Sequence, residues 1–62
     1  MHVTVNGQPR EVPDGARLPS LVADARGVAA AVNGVVVRGS DWPSTVLRED
    51  DRIEVVTARQ GG

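Results

Sequence analysis

The sequence predicts an α+β fold, a single mixed sheet of four to five strands with one short helix packed on one face. Three observations lead there. Two Asn-Gly pairs, Asn6-Gly7 and Asn33-Gly34, each stand between strand-like runs and read as tight hairpin turns, because both residue types tolerate positive φ. Between the hairpins, Leu18, Leu21, Val22 and Ala25 recur at three- and four-residue steps, the stripe of an amphipathic helix. A last run from Arg52 to Thr57 alternates and adds a final strand. The 62 residues suffice for one domain with a small core; a domain of this size buries only about 60% of the surface its unfolded chain exposes.

Taken in order, His2-Val3-Thr4-Val5-Asn6 alternates polar and apolar residues, so Val3 and Val5 face inward. After the turn, Arg10-Glu11-Val12 returns as a short second strand. Pro13-Asp14-Gly15 forms the next turn. Pro19 is tolerable only in a first helical turn, which starts the helix near that residue. Gly27 stops it, with Arg26 against the negative end of the dipole, and the helix spans roughly two turns. Val28-Ala29-Ala30-Ala31-Val32 is apolar throughout, as in a strand buried on both faces or crowded by neighbours. Val35-Val36-Val37-Arg38 is the returning strand of the second hairpin, and Gly39 to Pro43 reads as a short helical turn or loop. Trp42, the only aromatic residue, packs beneath this crossover. In the last strand, Ile53 and Val55 share one face while Glu54 and Val56 share the other.

Composition excludes several functions. Formal net charge is −1, against the basic face that nucleic-acid binding requires. Cysteine, tyrosine and lysine are all absent and the one histidine is His2, so no activated nucleophile with a base in reach can be assembled. No catalytic residue and no cofactor of the chain's own are expected. No apolar run is long enough to span a membrane and no signal peptide is evident, so a cytoplasmic protein is expected. Glu49, Asp50 and Asp51 invite a metal hypothesis, but consecutive carboxylates rarely converge on one ion, and aspartates suit turns by bonding their own backbone. No metal site is assigned.

The sequence then finishes on Ala58-Arg59-Gln60-Gly61-Gly62. Glycine loses the most freedom on ordering, so this pair suits a mobile end that threads a narrow passage. Residues 1–57 read as the domain and 58–62 as its flexible tail. With the element order of hairpin, helix, hairpin, crossover and strand, the plan is the ubiquitin-like β-grasp. The chain resembles the ThiS-type sulfur carriers of thiazole (thiamine) biosynthesis. The resemblance is carried by Val3-Thr4-Val5-Asn6-Gly7, by Val32-Asn33-Gly34 with Val36-Val37 behind it, and by Trp42, the Leu47 to Val56 stretch and Gly61-Gly62. Two departures stand out. The stretch around Asp24 to Gly27 is shorter than in most members, and Asp50 stands where the acidic turn commonly has glycine. Aspartate can adopt a left-handed conformation at some cost, which would preserve the turn.

The resemblance implies a protein that serves as a substrate. A ThiF-type adenylating enzyme binds the body and uses MgATP to adenylate the Gly62 carboxylate, and a persulfide donor converts that end to a thiocarboxylate. Sulfur then passes to a ThiG-type thiazole synthase. Gly62 is the group modified and Gly61 the unhindered link, with Arg59 and Gln60 as channel contacts. Docking falls to the sheet face away from the helix. Val56 and Ala58 are apolar contacts there, and Glu49, Asp50 and Asp51 steer toward a basic partner; the alternative is a half-covered valine and a solvated turn. The small subunit of molybdopterin synthase and the ubiquitin-like protein modifiers share the fold and the Gly-Gly end. A β-grasp binding module with incidental glycines is the rival from another class.

Overall fold

Both Asn-Gly pairs turn the chain as their chemistry demands. Asn6 and Asn33 take φ of 51° and 52°, and Gly7 and Gly34 follow at 81° and 85°. Two consecutive positive φ values give the hairpin turn whose twist matches that of its strands. The first turn joins β1 (His2–Val5) to β2 (Gln8–Glu11), the second β3 (Val28–Val32) to β4 (Val35–Val37). A fifth strand, β5 (Arg52–Thr57), closes the sheet. The computed structural model describes residues 1–22 and 26–57. The tail, 58–62, and residues 23–25 lie outside them.

The strand order is β2-β1-β5-β3-β4, so the last strand in sequence is central in space. β5 runs parallel to β1, with Thr4 opposite Arg52 and Val5 opposite Ile53. On its other side it runs antiparallel to β3, from Val28 opposite Thr57 to Val32 opposite Ile53. The first hairpin pairs His2 with Glu11 through Val5 with Gln8, and Val12 N–H extends it by donating to the Met1 carbonyl at 2.9 Å. Pro9 is tolerated because β2 is an edge strand, where a missing N–H breaks no ladder bond. The sheet is therefore mixed and five-stranded, as the ubiquitin-like plan requires.

One face of the sheet is covered. Val3, Ala30 and Ile53 from the strands are buried against Ala16, Leu18, Trp42 and Leu47 from the connections. Those connections contain two 3₁₀ turns, Leu18–Ser20 and Gly39–Ser44. They are stitched together: Leu18 N–H donates to the Thr45 carbonyl at 3.3 Å, and Leu47 N–H to the Ala16 carbonyl at 2.8 Å. Trp42 packs beneath the crossover as expected, and its indole N–H donates to the Val37 carbonyl at 3.0 Å. That bond satisfies the one polar atom of an otherwise buried ring.

Two expectations are corrected. Among the described residues the helix is one 3₁₀ turn, Leu18–Ser20, rather than two α-helical turns. Pro19 sits in its first turn as predicted, and the Leu18 carbonyl accepts from Leu21 at 2.9 Å and Val22 at 3.1 Å. Leu18 and Leu21 are three apart, a spacing that one 3₁₀ turn serves as well as an α-helix. Ala25, the far end of the stripe, lies outside the described residues. Gly27 does carry the left-handed φ of a stop, at 67°. The third strand is buried on one face only: Ala30 is buried and Ala29 is exposed, because nothing among the described residues covers the outer side of the sheet.

Ile53 meets β1 and β3 and points into the core, so Ile53→Val is expected to cost about 0.5–1.5 kcal/mol in urea denaturation. Val36→Ala, on the open face, is expected to stay within about 0.5 kcal/mol of the parent.

Candidate functional site

β5 ends at Thr57, the residue before 58–62 in the sequence, so the surroundings of this strand's end are the described part of the candidate site. Ala58, Arg59, Gln60, Gly61 and Gly62 themselves lie outside the described residues. Beside that end the outer sheet face is apolar. Cross-strand partners share a face, and Val56 stands opposite Ala29 while Ala31 stands between Glu54 and Val36. Val56 is 61% exposed and Val36 73% exposed. The alternation reading of β5 holds: Ile53 is buried and Val55 packs against the core, while Glu54 and Val56 face out. On this small sheet the two outward valines, with Ala29 and Ala31 between their strands, form one apolar strip that reaches from the β4 edge to the root of the tail.

The acidic stretch divides three ways. Arg48 to Asp51 is a tight turn closed by Asp51 N–H donating to the Arg48 carbonyl at 3.1 Å. Asp50 occupies its third position with φ of 68°, the left-handed conformation anticipated for it. Its N–H donates to the His2 carbonyl at 2.7 Å, and the His2 N–H donates to Glu49 Oε2 at 3.1 Å. Glu49 and Asp50 are exposed. Asp51 is not. It is only 8% exposed; its Oδ2 accepts the Arg48 N–H at 2.8 Å and its Oδ1 accepts Asn33 Nδ2 at 2.9 Å. This corrects its reading as a steering charge: both carboxylate oxygens hold the turn to the second hairpin.

Three contributions escaped the sequence. The asparagines do more than turn the chain. Asn6 Oδ1 accepts the Val55 N–H at 2.9 Å and its Nδ2 donates to the Val55 carbonyl at 3.1 Å. Asn33 Oδ1 accepts the Arg52 N–H at 2.9 Å, and Asn33 N–H donates to the Arg52 carbonyl at 2.8 Å. Each hairpin corner thus grips β5, one near its end and one at its start. His2 also joins the acidic turn, with Nδ1 3.4 Å from Asp50 Oδ1, and its donor atoms lie within 4.8 Å of those of Glu49 and Asp50. An Asn before Gly announces a turn; only the strand running past it gives its amide a second task.

Asp51→Ala leaves the Arg48 N–H and the Asn33 amide without partners, and is expected to destabilise the fold by about 1–3 kcal/mol in chemical denaturation. Asp50→Gly relieves the left-handed aspartate and is expected to raise stability by about 0.5–1 kcal/mol, read by the same method.

No helix among the described residues is long and apolar enough to cross a membrane. A family model, that of the ThiS family, matches residues 3–62. No curated protein matches the chain. Among solved structures, the crystal structure of a thiamine biosynthesis protein (ThiS) from Geobacter metallireducens is 29% identical, with a TM-score of 0.82 and full coverage of both chains. A solution structure of a thiamine biosynthesis protein from the same organism is 26% identical with a TM-score of 0.76, covering 100% of this chain and 88% of that one. The motifs Val3 to Gly7 and Val32 to Gly34, the central fifth strand and the family match over nearly the whole sequence agree: the chain belongs to the ThiS family of ubiquitin-like β-grasp proteins.

Proposed function

We propose that this protein is a sulfur carrier of thiamine biosynthesis, a protein co-substrate whose chemistry takes place at Gly62. The observation that carries this reading is a family match that runs through both terminal glycines, residues 3–62. A ThiF-type adenylating enzyme binds the folded body and receives the tail. The Gly62 carboxylate attacks the α-phosphate of MgATP and pyrophosphate leaves. The step is needed because a carboxylate is a poor electrophile: its charge is delocalised and its leaving group would be oxide. The acyl-adenylate offers AMP instead, with the metal and the enzyme's cations offsetting phosphate charge. The terminal sulfur of a persulfide displaces AMP, and reduction of the S–S bond by a thiol leaves the thiocarboxylate. A ThiG-type thiazole synthase then takes the sulfur.

The residues divide by role. Gly62 is modified; Gly61 keeps the approach free of side chains; Arg59 and Gln60 contact the channel wall. The strip of Val56, Ala29, Ala31 and Val36 is the docking surface, with Ala58, two residues beyond Val56 in the sequence, as a further apolar contact, and Glu49 and Asp50 supply steering charge. The apolar strip adjoins the strand that carries the tail, so a partner seated there has the tail within reach. The work is done in the cytoplasm, where MgATP is supplied.

The test is intact-protein mass after incubation with the adenylating enzyme, MgATP and a persulfide source. The expected gain equals one oxygen exchanged for one sulfur, located at Gly62; deletion of Gly61 and Gly62 is expected to abolish it without unfolding the domain. An unchanged mass, with the enzyme shown active on another carrier, overturns the reading in favour of a binding module, and recovery in amide linkage to lysines of other proteins favours a modifier. For docking, Val56→Thr with Val36→Thr keeps strand propensity and removes apolar contact. Together they are expected to raise KM for the carrier roughly tenfold.

A further inference from the structure

We propose that Asn6 is a positioning residue for tail delivery: its side-chain amide fixes the end of β5, and with it the point from which the tail leaves the sheet. The inference rests on the carrier reading above. The parallel contact between β1 and β5 covers only Thr4 opposite Arg52 and Val5 opposite Ile53. Asn6 extends it by one bond, its N–H donating to the Ile53 carbonyl at 2.9 Å. There β1 ends, because Gly7 turns the chain back into β2. The N–H and carbonyl of Val55 still point to that side, and no β1 peptide group remains to meet them.

The Asn6 side chain meets both. A primary amide carries the same donor and acceptor as a peptide group, and here Oδ1 takes the Val55 N–H at 2.9 Å while Nδ2 gives to the Val55 carbonyl at 3.1 Å. It behaves as one more residue of β1. Val55 is two residues before Thr57, the last of the strand. On the other side β3 holds that end through Ala29 opposite Val56 and Val28 opposite Thr57. With Asn6 in place the strand is gripped from both edges as far as Val55; without it, the β1 edge lets go after Ile53. A tail that leaves a fraying strand spends less of its time aligned with a partner's channel, which weakens productive binding rather than the chemistry at Gly62.

The fold contains its own control. Asn33 has the same turn chemistry, with φ of 52° against 51° for Asn6, and also grips β5 through a side-chain oxygen. It holds Arg52, at the start of the strand, roughly 17 Å from Thr57 at the usual rise per residue. Glycine at either position keeps the positive φ and deletes the amide. Asn6→Asp keeps one acceptor but sets a carboxylate oxygen against the Val55 carbonyl.

The experiment compares the full-length wild type with Asn6→Gly, Asn6→Asp and Asn33→Gly. Stability, amide exchange at Val55 and initial-rate adenylation with the carrier as varied substrate are measured on each, using a ThiF-type enzyme shown active on another carrier. In both Asn6 variants, Val55 exchange is expected to quicken about tenfold or more. KM for the carrier is expected to rise about three- to tenfold at nearly constant kcat, the size of effect that one or two lost hydrogen bonds allow. Asn33→Gly is expected to lose comparable stability and keep the wild-type KM. Equal KM values in all four proteins, a KM rise that merely follows stability in both glycine variants, or unchanged Val55 exchange would overturn the proposal while leaving the carrier reading intact. A wild-type chain that the enzyme does not adenylate overturns the carrier reading and the delivery role together.

Discussion

The constraint on which this domain depends is main-chain satisfaction along β5. A central strand must pair on both edges, and this one is the last to be made. Its antiparallel side is ordinary, five residue pairs against β3. Its parallel side has two, and the deficit falls on side chains. Asn6 completes the edge at Val55, Asn33 completes the other edge at Arg52, and Asp51 holds the turn just before the strand to Asn33. Exposed hydrogen bonds are worth little singly, but an unpaired peptide group in a central strand costs more than the bond itself is worth. The arrangement also ties the first strand to the last, so the sheet cannot form without closing nearly the whole chain. Folding should therefore be cooperative, with β5 and the tail's anchorage arriving together.

That dependence explains the distribution of the few large apolar side chains. Leu18, Leu47, Ile53 and Val3 are the largest fully buried ones, and Trp42, the chain's only aromatic residue, is buried beside them. Among the described residues, two 3₁₀ turns, cross-linked through Ala16, Leu18, Thr45 and Leu47, cap the inner face. The outer face is left with valine and alanine at its centre, which is costly in water unless something else covers it part of the time. For a ThiS-family chain, an exposed apolar strip beside the tail is what a transient client of larger enzymes needs.

What the sequence disclosed follows from the range of each interaction. Asn-Gly pairs, the alternation of β5 and the left-handed demand at Asp50 are local and were readable. The role of Trp42 was also readable, since a lone tryptophan in so small a chain has few places to go. Among the described residues the helix is one 3₁₀ turn, a length the sequence left open because Leu18 and Leu21 satisfy two periods at once. Glu49, Asp50 and Asp51 look alike in one dimension. What separates Asp51 is Asn33, eighteen positions away and brought alongside only by the sheet. The double grip of Asn6 on Val55 spans forty-nine positions and could not be read locally at all.

The tail's composition and the strand's rigidity then make sense as a pair. On the proposed carrier role, two terminal glycines suit a narrow channel and, having no side chains, contribute little binding energy there. On that reading affinity comes from the body, through the outer face of the sheet beside the end of β5. A tail of five residues extends at most about 17 Å beyond Thr57, so an error in where β5 ends is not absorbed by slack. Each residue of fraying lengthens the linker, dilutes Gly62 at its target and adds ordering entropy to every encounter. On the proposal made above, the Asn6 amide on Val55 keeps the linker at its short length, and an exposed asparagine in the first hairpin would then matter at the opposite terminus.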